Sequence, residues 1–259
     1  MENNLKIALV QTDTIWEDID KNLENLSEKI SAIDKDTDLI LLPELFTTGF
    51  TMNAKQVAET MKGRSVKWML KKSKAKNCLV IGSLLIADSD NFYNRLVVTF
   101  PDGEVKYYDK HHLFSFAGEE KVFTAGSEKL VFKYKGFKIC PLICYDLRFP
   151  VWARNTEAID ILIYVANWPN ARMEAWDTLL KARAIENLCY VIGVNRVGVD
   201  NNQLVYSGHS TAIDALGKVM IHFDEGKEKI KTIVVDKQHI TETRRKFRFL
   251  DDQDMFEIK

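Results

Sequence analysis

Phe137-Lys138-Ile139-Cys140-Pro141-Leu142-Ile143-Cys144-Tyr145-Asp146-Leu147-Arg148-Phe149-Pro150 is an apolar run that ends in charged residues, and Ile159-Asp160-Ile161-Leu162-Ile163-Tyr164-Val165-Ala166 follows it closely. Nearly continuous apolar runs of this length suit strands covered on both faces. The spacing predicts a strand over 137–144, a short helix from Pro150 and a strand over 159–166. A strand-helix-strand unit of this kind belongs to the α/β class.

The same reading extends outward in both directions. Residues 5–10 form an apolar strand, and Ile19, Leu23, Leu26, Ile30 and Ile33 recur at the steps of one helical face. Residues 38–42 predict a buried strand stopped by Pro43, then a helix over 54–76 and strands over 79–85 and 95–100. Pro101, Asp102 and Gly103 supply turn chemistry into a strand over 104–108, and Lys135 with Gly136 turns a strand over 130–134 into the 137–144 strand. A helix over 173–188 and strands over 190–195, 210–214, 219–222 and 230–235 complete the pattern. Crossovers and hairpins together predict a mixed sheet with helices outside, or two such sheets face to face. With no repeat, Pro-rich linker or low-complexity segment, a single domain over 1–259 is expected. The tail from Arg244 to Lys259 mixes Phe247, Phe249, Leu250 and Phe256 with its charges and is expected to dock on the surface.

Thirty-six Lys and Arg against 37 Asp and Glu leave a net charge of -1, so no overall field draws nucleic acid or anionic lipid to the chain. Residues 1–5 carry no basic stretch leading into an apolar segment, and the longest apolar run, Ile161–Ala166, is far below the ~18 residues of a spanning helix. A cytoplasmic protein with neither nucleic-acid nor membrane partners is expected. Cys78, Cys140, Cys144 and Cys189 are too sparse for a disulfide scaffold, and two positions four apart on one strand are out of bridging range.

Three segments carry a reactive residue at an apolar strand end. In Leu41-Leu42-Pro43-Glu44-Leu45-Phe46, desolvation would raise the carboxyl pKa and suit Glu44 to proton transfer; the alternative is an exposed loop carboxylate. In the aromatic and imidazole run of residues 107–114, Lys110 would lower a nearby thiol pKa or hold an oxyanion if buried; the alternative is a solvated lysine. Cys144 falls at a strand-to-helix turn, where backbone N–H groups favour thiolate and can receive an oxyanion, and reads otherwise as a small buried hydrophobe. His111 and His112 are adjacent, so on a strand they would point to opposite faces, and no metal site is expected. Dinucleotide, phosphate-loop and serine-elbow motifs are absent from the sequence.

Taken in order, these three segments resemble the signature of the nitrilase superfamily, the carbon-nitrogen hydrolases with a Glu-Lys-Cys triad. Asn167-Trp168-Pro169, the blocks at 182–187 and 193–196, and Tyr206-Ser207-Gly208-His209-Ser210 are similar to its omega-amidase branch. The resemblance implies a four-layer α-β-β-α sandwich of two mixed sheets, assembled as a homodimer or higher homo-oligomer. It makes Cys144 the nucleophile, Glu44 the general base and Lys110 the stabiliser of the intermediate, with the Tyr145 N–H completing the oxyanion site. A second active-site glutamate is implied between lysine and cysteine, Glu119 in preference to its rival Glu120. The implied reaction passes through a cysteine thioester and needs no cofactor.

An omega-amidase acts on monoamides of short dicarboxylic acids such as 2-oxoglutaramate, 2-oxosuccinamate and succinamate, so a forked cation is expected at the distal carboxylate. Arg172 and Arg148 are the candidates, each readable also as a structural ion pair or a solvated side chain. Trp168 is a candidate pocket wall or simply core. Arg183 and Glu186, at i, i+3, read as a structural pair. The competing readings are a nitrilase, an N-carbamoyl amide hydrolase or a short-chain aliphatic amidase with the same triad, and a catalytically silent binding protein.

Overall fold

The computed structural model describes residues 3–258; Met1, Glu2 and Lys259, at the ends of the expected domain and tail, lie outside the described residues. In chain order the first half contains β1 (Asn4–Gln11), α1 (Ile19–Ser31), β2 (Leu39–Leu41), α2 (Ala54–Val57), α3 (Arg64–Lys76), β3 (Leu79–Asp88), β4 (Asn91–Thr99) and β5 (Val105–Asp109). The second half contains β6 (Phe132–Tyr134), β7 (Phe137–Ile143), β8 (Ile161–Ala166), α4 (Met173–Asn187), β9 (Tyr190–Asn195), β10 (Val197–Val199) and β11 (Val205–Ser207). It ends with β12 (Thr211–Ile213), β13 (Val219–His222), β14 (Lys229–Asp236) and α5 (Lys237–Phe247).

The strands assemble into two six-stranded sheets, β14-β1-β2-β3-β4-β5 and β13-β12-β9-β8-β7-β6, with a separate β10-β11 hairpin. Each large sheet is parallel at its centre and antiparallel at its flanks. Strand periodicity explains the layering. Ile7, Leu9, Leu39, Leu41, Leu79 and Ile81 point from the first sheet into one core shared with Ile139, Ile161, Ile163 and Val165 of the second. The alternate residues Ala8, Val10, Ile40 and Val80 point the other way, onto Leu23, Leu26 and Ile30 of α1 and Val66 and Met69 of α3. On the far side α4 lies against β9 and β12 with Trp176, Leu180 and Ala184 buried. A Cβ at Gly193 would stand 2.7 Å from Leu180 and Trp176, so glycine is what admits the helix so close to the sheet. The result is the four-layer α-β-β-α sandwich.

Several local expectations are corrected. The helix expected over 54–76 is split, because Glu59 leaves helical geometry to bridge Ile86, donating its N–H to the Leu85 carbonyl and accepting from the Ala87 N–H. Its carboxylate then accepts from Arg64 N at 2.9 Å and starts α3. No helix begins at Pro150; the helical segment comes earlier, as a 3-10 helix over Cys144–Arg148, with Asp146 accepting from the Ile143 N–H at 3.0 Å. The β10-β11 hairpin and α5 had no counterpart in the periodicity. Of the tail, Arg244 docks, its guanidinium bonded to Asp160 and the Leu188 and Ile159 carbonyls, whereas Met255, Phe256 and Ile258 remain exposed. The four cysteines are free, and among the described residues no helix is long and apolar enough to cross a membrane.

Candidate active site

Loops leaving both sheets bring the charged residues together. Glu44 lies just past β2, Lys110 directly follows β5, Cys144 follows β7, and Asn167 follows β8. Two positions there take left-handed backbone that side chains disfavour by roughly 1–2 kcal/mol: Leu45, beside Glu44, at φ 43°, and Cys144 itself at φ 41°. At each, the strain turns the chain sharply out of strand geometry beside a reactive group.

Glu44, Lys110 and Glu119 form a buried cluster. Lys110 Nζ donates to Glu44 Oε1 at 2.9 Å and to Glu119 Oε2 and Oε1 at 2.9 and 3.1 Å. Glu44 Oε2 accepts from the Asn167 N–H at 2.7 Å, and Asn167 Nδ2 donates back to the Glu44 carbonyl at 2.8 Å. Glu119 Oε2 also accepts from the Phe114 N–H at 2.6 Å, while Glu120 is exposed. Burial opposes the charge on Lys110, but Glu119 and Glu44 outweigh it and hold the ammonium pKa above its usual value. Burial and the charge of Glu44 push the Glu119 carboxyl up, against the pull of Lys110. Cys144 is pushed well above the ordinary thiol value by burial, by the charge of Glu44 and by a hydrogen bond with it, with Lys110 pulling the other way. The resting sulfur is therefore held as a thiol beside the Glu44 carboxylate.

Asp146 anchors the turn that carries Cys144. Its Oδ2 accepts from the Tyr108 hydroxyl at 2.7 Å and the Ile143 N–H at 3.0 Å, and its Oδ1 accepts from the His112 N–H at 3.0 Å and lies 2.9 Å from His112 Nδ1. His111 stacks on Trp152 and His112 on Phe149, so the adjacent imidazoles brace this corner. No group of His, Cys, Asp and Glu among the described residues is arranged to hold a metal ion. Tyr145 falls in the first turn of the 3-10 helix, where a main-chain N–H has no partner within the helix.

A cavity of about 320 Å³ opens onto Cys144, Lys110 and Asn167. Arg148, Arg172 and Tyr145 also line it, with Trp16, Phe50, Phe114, Trp168 and Tyr206 as aromatic walls. Trp168 is fixed by the Asn195 side chain, which accepts from its N–H at 2.8 Å and donates to its carbonyl at 2.9 Å. Arg148 lies over the Trp168 ring at 4.9 Å and Arg172 over Phe114 at 5.1 Å. Neither guanidinium pairs with a carboxylate among the described residues, unlike Arg183, which pairs with Glu186 at 3.0 Å. Sequence reading missed Asn94, Asp146 and Asn195 as parts of this site; Asn94 lies inside β4 in the structure but just outside the strand expected over 95–100.

Residues 6–245 match the carbon-nitrogen hydrolase family, and the chain belongs to it. It is thus a hydrolase of carbon–nitrogen bonds with the nitrilase fold. It is 41% identical to the omega-amidase YafV of Yersinia enterocolitica, over 98% of both chains. To the 2-oxoglutaramate amidase of Bacillus subtilis it is 35% identical, over 95% of this chain and 96% of that one. Among solved structures, XC1258 of Xanthomonas campestris, a CN-hydrolase superfamily protein with an arsenic adduct in its active site, superposes with a TM-score of 0.97, at 41% identity and 99% coverage of both chains.

Proposed function

We propose that the protein is an amidohydrolase that releases ammonia from omega-monoamides of short dicarboxylic acids, among them 2-oxoglutaramate, 2-oxosuccinamate and succinamate. One observation carries the substrate class: two guanidiniums without carboxylate partners line the cavity that contains Cys144 and Lys110. A planar guanidinium fork suits a carboxylate, and an aromatic face beneath it restricts its orientation. Names of the relatives point the same way.

In the mechanism, Cys144 Sγ attacks the amide carbonyl carbon while its proton passes to Glu44. The oxyanion that forms is held by Lys110 Nζ and the Tyr145 N–H, an arrangement whose individual donors are commonly worth about 3–4 kcal/mol in the transition state. The C–N bond breaks as Glu44 returns the proton to nitrogen, and ammonia leaves a thioester on Cys144. Glu44 next takes a proton from water as its oxygen attacks the thioester. The C–S bond then breaks, Glu44 returns that proton to Sγ to re-form the thiol, and the new acid group ionises to solvent as the dicarboxylate departs. Glu119 keeps Lys110 charged and oriented throughout. The chain's own residues supply every proton transfer and charge that these steps need. Four free cysteines accord with a cytoplasmic setting.

The test is ammonia release from 2-oxoglutaramate and succinamate beside butyramide, with wild type and Cys144→Ala. Turnover of the two monoamides by wild type alone is expected. Equal turnover of butyramide would remove the substrate class, and activity in the variant would remove the nucleophile.

A further inference from the structure

Asn94 is fully buried in the middle of β4 and touches three members of the charged cluster. Its carbonyl accepts from the Lys110 N–H at 3.0 Å, fixing the main chain from which the ammonium extends. Its Nδ2 donates to Glu44 Oε1 at 2.7 Å and to Glu119 Oε1 at 3.2 Å, so a single NH2 group stands between the two carboxylates. The orientation of the amide is forced, because the flipped form would present Oδ1 to two carboxylate oxygens. As it stands, Oδ1 is buried and has no protein hydrogen-bond partner among the described residues.

We infer that Asn94 is a positioning residue whose NH2 group holds Glu44 and Glu119 charged together on one lysine. The inference rests on Glu44 being the base for Cys144. Two carboxylates around one ammonium leave a buried excess of negative charge, and like charges sharing a site drive one of them to take up a proton. An NH2 donor with no charge of its own relieves the repulsion without competing with Lys110 for the substrate oxygen. The groups that face Glu44 are Lys110 beyond β5, Asn94 in β4, Glu119 in its 3-10 turn, Asn167 beyond β8, Cys144 beyond β7 and Tyr206 in β11. Of these only Lys110 is a cation. Removing the Asn94 donors therefore makes the carboxylate pair as a whole take up a proton more readily, which narrows the pH range over which it can serve Cys144 as a base.

The experiment follows the rate at which iodoacetamide alkylates Cys144 from pH 4 to 9, located by peptide mass spectrometry, in wild type and Asn94→Leu. Loss of both donors in a side chain of similar branched shape should move the acidic limb up by about one pH unit, so that the rate on that limb falls about tenfold while the high-pH plateau is kept. A limb that stays in place, or a uniform fall at all pH values, overturns the inference, since a merely structural role would produce one of those. If the melting curve shows that Asn94→Leu does not fold, the smaller Asn94→Ala, which removes both donors without adding a charge, carries the same test, and an unmoved limb there is equally fatal. Alkylation needs no amide substrate. A failure of the monoamides to release ammonia is therefore a separate result from a failure of the limb to move.

Discussion

Replacing Arg172 or Arg148 by leucine should separate substrate recognition from folding. Each guanidinium has one contact of note in the structure, the ring of Phe114 at 5.1 Å or Trp168 at 4.9 Å. A contact of that kind is worth about 0.5–1 kcal/mol, and leucine retains part of the packing. At about 2–4 °C per kcal/mol in a domain of this size class, the melting temperature should fall by no more than ~4 °C. Binding is a different matter, since a hydrogen bond to a charged partner contributes about 1.5–3 kcal/mol. Loss of that amount lowers kcat/KM for succinamate by roughly 10- to 150-fold. Butyramide, in which a methyl replaces the carboxylate, should lose less than about threefold, because it never used the guanidinium. The assay is coupled ammonia release on both amides, with melting curves alongside. Whichever arginine shows the split reads the carboxylate. An equal loss on the two substrates for both variants would refute the charge-recognition argument and leave the arginines as supports for Trp168 and Phe114.

Two further outcomes follow from buried and half-buried charge. Asp146→Ala leaves the Ile143 N–H, the His112 N–H and the Tyr108 hydroxyl without their common acceptor, and should destabilise the protein by about 3–5 kcal/mol in urea unfolding; a loss below about 1 kcal/mol would mean that the turn carrying Cys144 is held by other contacts. His209 lies 2.9 Å from both Asp177 and Glu225; burial opposes its charge, but the two carboxylates prevail and its pKa is raised from 6.5. A raised folded-state value means stability that is fully present below pH 6.5 and lost as pH rises through the folded value. Because both carboxylates are largely solvated, the contribution should stay under ~1 kcal/mol. His209→Gln should flatten the decline in melting temperature between pH 6 and 8, and an unchanged slope would remove His209 as its source.

Much of the architecture was legible because burial and periodicity coincide. Ile19, Leu23, Leu26 and Ile30 mark one face of α1, and all four are buried against the first sheet. Runs such as Ile161–Ala166 read as strands since both faces are covered, one by the opposing sheet and one by α4. Residues 54–76 misled because helix propensity says nothing of Glu59 reaching a strand to pair with Ile86. The hairpin formed by Val197–Val199 and Val205–Ser207 is too short to show a period. Within the site, Glu44, Lys110 and Cys144 stood out as reactive groups ending apolar strands. The preference for Glu119 over Glu120 came with the resemblance and not from local pattern, since adjacent residues of a 3-10 turn differ locally only in which one the fold buries. Asn94 and Asn195 were invisible for another reason. An amide carries no charge and marks no strand end, and its value lies in the partners that folding brings to it.

Charge balance connects the cluster to the cavity. Glu44 and Glu119 against Lys110 leave an excess negative charge where water is largely excluded, and there Coulomb energies far exceed those in solvent. An incoming substrate carboxylate adds another negative charge nearby, so a cavity lined only by aromatic groups would repel the substrates proposed for it. Two guanidiniums in the same cavity reverse that sign for the far end of the substrate. Meanwhile the excess at the near end still keeps Cys144 a thiol in the resting state. A thiolate formed in the resting state would instead sit beside two carboxylates and react with any electrophile that entered. Coupling proton loss to carbon–sulfur bond formation, as the proposed mechanism does, avoids that state, because the negative charge then passes to the carbonyl oxygen, which that mechanism gives to Lys110 and the Tyr145 N–H. In the proposed reaction the net charge of the cluster thus serves both ends: it holds the sulfur in reserve as a thiol, and it makes the distal arginines necessary for a substrate that is itself an anion.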